Sequence, residues 1–232
     1  MSSNKDFDII VPVFNEYENL HEFINILEEK NINLIKRFTF VDNGSSDIRI
    51  LSLLSDRETN FLHLKKNMGF GGGIKHGIKN TNAEYICWMP CNLKIHPLDA
   101  IDMIEKINNF NSSTLYKSTR IKESQIDSLK TILFNIIQSI ILKKIVSDTG
   151  GTPSIVSKDF FENLDDFPND YSFETYVYLK AKFKNLTISR PKIKYGKRKY
   201  GNSHWQNGLI SELKFIKNIY QKSKNWKFEL EF

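Results

Sequence analysis

Short apolar runs that break off in polar turn residues recur through the first half of the chain. Residues 7–14 end in Asn15-Glu16, residues 37–42 in Asn43-Gly44-Ser45-Ser46, and residues 84–89 at Pro90, with a shorter run at 60–64. Between them, apolar positions fall three and four apart. Leu20, Phe23, Ile24 and Leu27 mark one face of a helix that opens at Asn15 or Glu16 and runs to about Lys30. Asp47 is placed to cap a helix over 48–54, a helix follows Gly73 as far as Asn80, and another starts at Pro97 or Leu98 and reaches about Asn108. Continuous apolar runs are those of strands buried on both faces of a parallel sheet. Their alternation with helices predicts an α/β fold. In such sheets ligands bind outside the carboxyl ends of the strands, so Phe14, Glu16, Asp42 and Asn43 converge on one expected site.

The second half continues with strands expected at 114–118, 153–156 and 186–189 and a helix over 173–183. Ile126, Leu129, Leu133, Ile136, Ile137, Ile140 and Ile141 form the stripe of a long amphipathic helix, read as core packing or alternatively as a membrane-facing surface. A basic stretch covers 192–199. No repeat or linker divides the chain, so one domain is expected over 1–206, with a C-terminal helical tail over 207–232.

Composition narrows the function only modestly. With 232 residues, 40% hydrophobic and 26% charged, the chain has the make-up of an ordinary globular protein. Its net charge of +6 fits an anionic partner or simply solvated lysines. No nucleic-acid-reading motif is present, which sets aside a nucleic acid as partner. Thr131 to Leu142 falls short of the roughly 20 apolar residues of a membrane span and is broken by Asn135, Gln138 and Ser139. The start, Ser2-Ser3-Asn4-Lys5-Asp6, is no secretory signal. A cytoplasmic protein is expected, with peripheral contact at the inner membrane face where the basic stretch and the amphipathic stripe could meet anionic lipid. Cys87 and Cys91 have no partner pair for a zinc site and read as plain thiols.

Asn67-Met68-Gly69-Phe70-Gly71-Gly72-Gly73 matches neither the phosphate loop, because no Lys-Ser/Thr pair follows Gly73, nor the dinucleotide fingerprint. It offers close backbone approach and a helix start suited to an anion, or else a structural turn.

Taken in order, Val11-Pro12-Val13-Phe14-Asn15-Glu16, Val41-Asp42-Asn43-Gly44-Ser45-Ser46-Asp47, the glycine segment, Asp148-Thr149-Gly150-Gly151 and Arg198-Lys199-Tyr200-Gly201-Asn202-Ser203 resemble family 2 glycosyltransferases. The polyprenyl-phosphate sugar synthases are the nearest in pattern. That resemblance implies a GT-A-like, mostly parallel sheet flanked by helices with a C-terminal helical and basic extension, and an inverting transfer from a nucleotide-diphospho-sugar. It implies that Pro12, Phe14, Glu16, Asp42 and Gly69 serve the nucleotide, and that Asp148, Glu174 and Arg198 serve catalysis. Arg198, Lys199 and Ser203, with His204 beside them, would engage a phosphate, with polyprenyl phosphate as acceptor and Trp205 as an anchor. Phe14 stands where the family usually has Tyr, and Asn43 where it often has a second Asp. Capping of a helix is the plain alternative for Glu16 and Asp42, a turn for Asp148, and an ordinary helix-surface charge for Glu174.

The largest departure is Met89-Pro90-Cys91-Asn92-Leu93-Lys94. Family members carry Asp-x-Asp here and hold a divalent ion, Mg2+ or Mn2+, against the donor diphosphate. Proline offers no side-chain ligand and an amide is a poor one for a hard dication, so Asn92 is at most a single ligand and no cofactor is assigned. Lys94 could instead neutralise diphosphate charge. The competing expectation is a non-catalytic, nucleotide-binding relative acting as a scaffold subunit.

Overall fold

The computed structural model describes residues 6–57, 59–121 and 147–201, together with positions 136, 139, 217, 218, 221, 222 and 226. Nine strands and six helices of the described residues follow the expected alternation. The strands are β1 (Phe7–Val13), β2 (Phe38–Asp42), β3 (Asn60–His63), β4 (Tyr85–Trp88), β5 (Thr114–Lys117), β6 (Thr119–Ile121), β7 (Ser154–Ser157), β8 (Thr187–Ser189) and β9 (Lys192–Lys194). The helices are α1 (Tyr17–Lys30), α2 (Ile32–Ile35), α3 (Arg49–Ser55), α4 (Gly69–Lys79), α5 (Pro97–Glu105) and α6 (Phe173–Phe183).

Seven strands form one sheet in the order β3-β2-β1-β4-β7-β5-β8, and β6 and β9 form a separate parallel pair. All neighbours in the large sheet run parallel except β7, which is antiparallel to both β4 and β5. Side chains alternate between faces along each strand, and the sequence uses that period to build two cores. Ile9, Val11, Val13, Phe38, Phe40, Cys87 and Met89 pack with Leu20, Phe23, Ile24 and Leu27 of α1 and with Ala100, Ile101 and Ile104 of α5. Ile10, Val41, Ile86 and Trp88 face the other way, onto Ile74 and Ile78 of α4 and Phe173, Tyr176 and Val177 of α6.

Because β7 runs against its neighbours, the residues that precede it lie at the same edge as those that follow β1, β2, β4 and β5. Val13 pairs with Asp42, Trp88 with Ser154, and Lys117 also with Ser154. The expected basic tail is structured as β9, and Gly196 beyond it donates its N–H to the Lys94 carbonyl at 2.7 Å. The expected long helix carrying Ile126 to Ile141 lies outside the described residues apart from Ile136, which is exposed, and Ser139. In the C-terminal region, Trp226 packs edge-to-face on Tyr176 of α6 at 5.3 Å and Lys222 pairs with Asp170.

Candidate active site

Asp42 ends β2 fully buried. Its Oδ1 accepts the Ser45 N–H at 3.1 Å, and its Oδ2 lies 2.8 Å from Nδ1 of His63, the partly exposed residue beside it on β3. The carboxylate therefore caps the turn and holds an imidazole at the same time. Asn15, at φ 52°, turns the chain after β1, and its Oδ1 accepts the Ser46 N–H at 2.8 Å, locking the ends of β1 and β2 together. Phe14 is partly buried, whereas Pro12 is buried and lies under α4, where an added Cβ on Gly73 would come within 3.0 Å of its own Cβ. Pro12 thus supports the site from below.

The glycine segment is a packing device. α4 begins at Gly69, five residues before the sequence pattern placed a helix. A Cβ on Gly77 would meet Ile10 at 2.6 Å, and one on Gly71 would meet the Pro168 carbonyl oxygen at 2.3 Å. Asn43 fastens the helix start: its Nδ2 donates to the Gly69 carbonyl at 2.9 Å, and its Oδ1 accepts the Met68 N–H at 3.0 Å. Gly69 N–H donates to Asn67 Oδ1 at 2.7 Å and Gly72 N–H to the Asn169 carbonyl at 2.8 Å. These protein acceptors take up donors that an anion would otherwise meet at a helix start. The segment thus has the structural-turn character that was the alternative to an anion cradle at Gly69, and Asn43 acts as its clamp.

Glu16, between β1 and α1, pairs with Arg198, with the Arg198 NH2 to Glu16 Oε1 distance 2.7 Å and both side chains about four-fifths buried (17% and 18% exposed). Lys199 pairs with Glu22 of α1 at 2.6 Å, and Asn19 Nδ2 donates to the Tyr200 carbonyl at 3.4 Å. Residues 196–200 are therefore a strap stitched to Lys94 at one end and to α1 at the other. Lys199, facing Glu22, belongs to that stitching, and the same hydrogen bond holds the Glu22 carboxyl below its usual range and the Lys199 ammonium above its own. Ser203, His204 and Trp205 lie outside the described residues.

Asp148 stands in a left-handed turn, φ 37°, ahead of β7. Arg120, just beyond β5, approaches its Oδ1 at 3.5 Å, while Arg190 donates to its carbonyl at 3.0 Å. The Arg120 guanidinium also lies over the Tyr195 ring, 5.0 Å from the centroid. Burial pushes the Tyr195 hydroxyl's pKa up, and that hydroxyl bonds Thr152 at 2.9 Å.

Glu174 is not the helix-surface charge of the plain alternative. It is 2% exposed, which rules out a surface charge; its Oε1 accepts the Trp88 indole N–H at 2.9 Å, and its Oε2 lies 2.5 Å from the ammonium of fully buried Lys117. Lys117 also donates to Ser154 Oγ at 3.1 Å, and Ser154 donates to the Gly151 carbonyl at 2.9 Å. Burial lowers the Lys117 pKa, with Glu174 opposing the shift. Glu174 thus braces the Asp148–Gly151 turn through a chain of contacts. Lys117, Arg120, Arg190 and His63 escaped sequence reading. The available signal was positional: His63 ends β3, and Lys117 and Arg120 flank the end of β5 at the ligand edge.

Around Pro90-Cys91-Asn92 the donor set does not fit a divalent ion. Asn92 Oδ1 accepts the Lys94 N–H at 3.1 Å in a turn that carries Leu93 at φ 53°. Cys91 is buried in apolar surroundings that push its thiol pKa well up. Among the described residues no cluster of three or more His, Cys, Asp or Glu could hold a metal ion.

A mostly parallel sheet with a single reversed strand, helices on both faces and polar groups gathered at one strand edge defines an α/β domain of the GT-A type. The profile of glycosyl transferase family 2 matches residues 8–165, and the chain belongs to that family: it is a glycosyltransferase of the nucleotide-sugar class. Among solved structures it is similar to glucosyl-3-phosphoglycerate synthase from Mycobacterium tuberculosis bound to phosphoglyceric acid, at 14% identity over 97% of this chain and 81% of that one, TM-score 0.67. A complex of the same enzyme with Mn2+, UDP-glucose and phosphoglyceric acid matches at 14% identity over 95% and 80%, TM-score 0.67. Mannosyl-3-phosphoglycerate synthase from Rubrobacter xylanophilus matches at 12% identity over 98% and 78%, TM-score 0.64. Among the described residues no helix is long and apolar enough to cross a membrane.

Proposed function

We propose that this chain transfers a glycosyl group from a nucleoside-diphospho-sugar to an acceptor that carries a phosphate. The observation that carries the reading is the set of guanidinium groups at the carboxyl edge: Arg120 against Asp148, Arg190 on the Asp148 carbonyl, and Arg198 against Glu16. Guanidinium forks suit phosphate oxygens, and two phosphate-bearing molecules, donor and acceptor, need several. The nucleoside lies at the ends of β1 and β2, beside Phe14, Asp42 and His63. The acceptor approaches the turn that bears Asp148. An acceptor oxygen attacks the anomeric carbon, the bond from that carbon to the diphosphate oxygen breaks, and the electron pair leaves on the nucleoside diphosphate, inverting the centre. A phosphate acceptor is already an oxyanion, so Asp148 orients it and does not need to take a proton.

Polyprenyl phosphate at a membrane face is the acceptor the sequence pattern points to, whereas the similar solved enzymes are described with phosphoglycerate. Both share the phosphate chemistry. Turnover of a panel of nucleotide sugars should be measured with a polyprenyl phosphate in detergent, with 3-phosphoglycerate, and with neither, for the native chain and for Asp148→Asn. Transfer to one phosphate acceptor that falls steeply in Asp148→Asn is expected. Nucleotide binding without turnover of any donor would favour the scaffold reading, which the Pro90 and Asn92 replacements support.

A further inference from the structure

We infer that Arg198, held in place by Glu16, is the resident cation for the donor diphosphate, and that nucleotide binding by this chain requires no divalent ion. The inference rests on the transferase reading above and identifies what balances the donor's charge. Three observations meet at the turn after β4. First, the positions where the family places metal carboxylates offer a proline ring and an amide whose oxygen is engaged by the Lys94 N–H. Second, the strap is bonded to this same turn through Gly196 and the Lys94 carbonyl, at 2.7 Å. Third, Arg198 follows Gly196 by two residues on the strap bonded to this turn, and the charges of Glu16 and Arg198 are both felt by the buried Cys91 thiol in the middle of the replaced motif.

The pair is about four-fifths buried, so its fields are less screened than those of a surface pair. A guanidinium in such a site offers planar N–H donors matched to phosphate oxygens. It also needs no reorganisation as negative charge builds on the leaving diphosphate. Glu16 then serves as a positioning residue: it orients Arg198 and does not contact the base. Lys94 contributes its carbonyl, which fixes the strap.

The test is calorimetric binding of UDP and GDP to the native chain in excess chelator and again in Mn2+. Affinities should agree within about twofold between the two conditions. Arg198→Ala should weaken binding by about 10- to 100-fold in both, the range of a hydrogen bond to a charged group. Arg198→Lys, which keeps the charge and loses the fork, should fall between the two. Thermal melts of each variant separate lost binding from lost folding, and Arg198→Lys keeps the test alive if the alanine variant does not fold. Glu16→Gln should weaken binding while leaving the indifference to metal intact. Binding that appears only with Mn2+ would overturn the inference and leave the transferase reading standing. Native affinity in a folded Arg198→Ala or Arg198→Lys would overturn the assignment to Arg198. No nucleotide binding in either condition would remove the donor site and, with it, both readings.

Discussion

Replacing Lys117 with Met should destabilise the protein more than any single substitution on its surface. Lys117 and Glu174 are 0% and 2% exposed, 2.5 Å apart, and joined to Trp88 on one side and Ser154 on the other. Removing one member of such a pair leaves a charge uncompensated in a low-dielectric interior, which costs about 3–5 kcal/mol. A domain with a typical total stability of about 5–15 kcal/mol would lose about a fifth or more of it. Urea unfolding at a slope of about 2–3 kcal/mol per molar converts the loss into a midpoint shift of roughly 1–2.5 M. Glu174→Gln should cost a comparable amount, because Lys117 then keeps its charge without its counter-ion.

The double variant Lys117→Met/Glu174→Leu decides the matter. If the two charges serve each other, the double variant should be less destabilised than the sum of the single changes by about 2 kcal/mol or more, at the upper end of coupling between contacting residues. Additive losses, or single variants costing under about 1 kcal/mol, would refute the buried-pair account. The double variant should still lose transferase activity, because the route from Lys117 through Ser154 to the Gly151 carbonyl is gone and the Asp148 turn is no longer braced.

Two further outcomes follow from the packing and from the strap. Gly77→Ala should cost about 1–3 kcal/mol by overpacking α4 against Ile10, whose Cγ2 would lie 2.6 Å from the new methyl; a chemical melt unchanged from the native chain would mean that α4 can back away from β1. The Lys199–Glu22 bond lowers the Glu22 pKa and raises that of Lys199, so its contribution is present above the ordinary carboxylate range, fades as pH falls through the lowered Glu22 value, and fades again as pH rises through the raised Lys199 value. Exchange of the Gly196–Tyr200 amides, corrected for intrinsic rates, should therefore accelerate toward acid, and Lys199→Met should flatten that acceleration; an identical profile in the variant would show that this pair does not hold the strap.

The sheet was legible because its strands advertise themselves. Residues 7–14 and 37–42 are apolar on both faces and stop at turn residues, and the structure ends β1 at Val13 and β2 at Asp42, within a residue of the pattern. Helix α1 buries the four apolar positions that the spacing named. The glycine segment was harder: seven residues rich in glycine look like a loop, yet they open α4, because Gly73 and Gly77 let the helix axis approach β1 and no local pattern encodes that neighbour. The basic stretch hid β9 for a similar reason. Lys192 and Lys194 are exposed around buried Ile193, a three-residue alternation too short to read and meaningful only with β6 alongside.

The site was legible as an edge, not as a set of roles. Strand ends, Asp42 at one of them and a turn at Asp148 could be placed from residue order alone, because carboxyl ends in this fold gather ligands. A role depends on the partner, and the partners come from distant parts of the chain: Glu16 and Arg198 are 182 positions apart, and Lys117 and Glu174 are 57 apart. Glu16 followed by a helical pattern has the sequence context of a cap, yet it makes no side-chain cap hydrogen bond and takes Arg198 instead. Glu174 opens α6 with the context of a first-turn surface acid, yet it points into the core because Trp88 and Lys117 present donors there. A carboxylate goes where its donors are, and only the fold says where that is. On the inference drawn above, the same reasoning accounts for Pro90 and Asn92 where the family pattern has carboxylates, since the strap bonded to Lys94 also carries Arg198, whose charge would then meet the diphosphate.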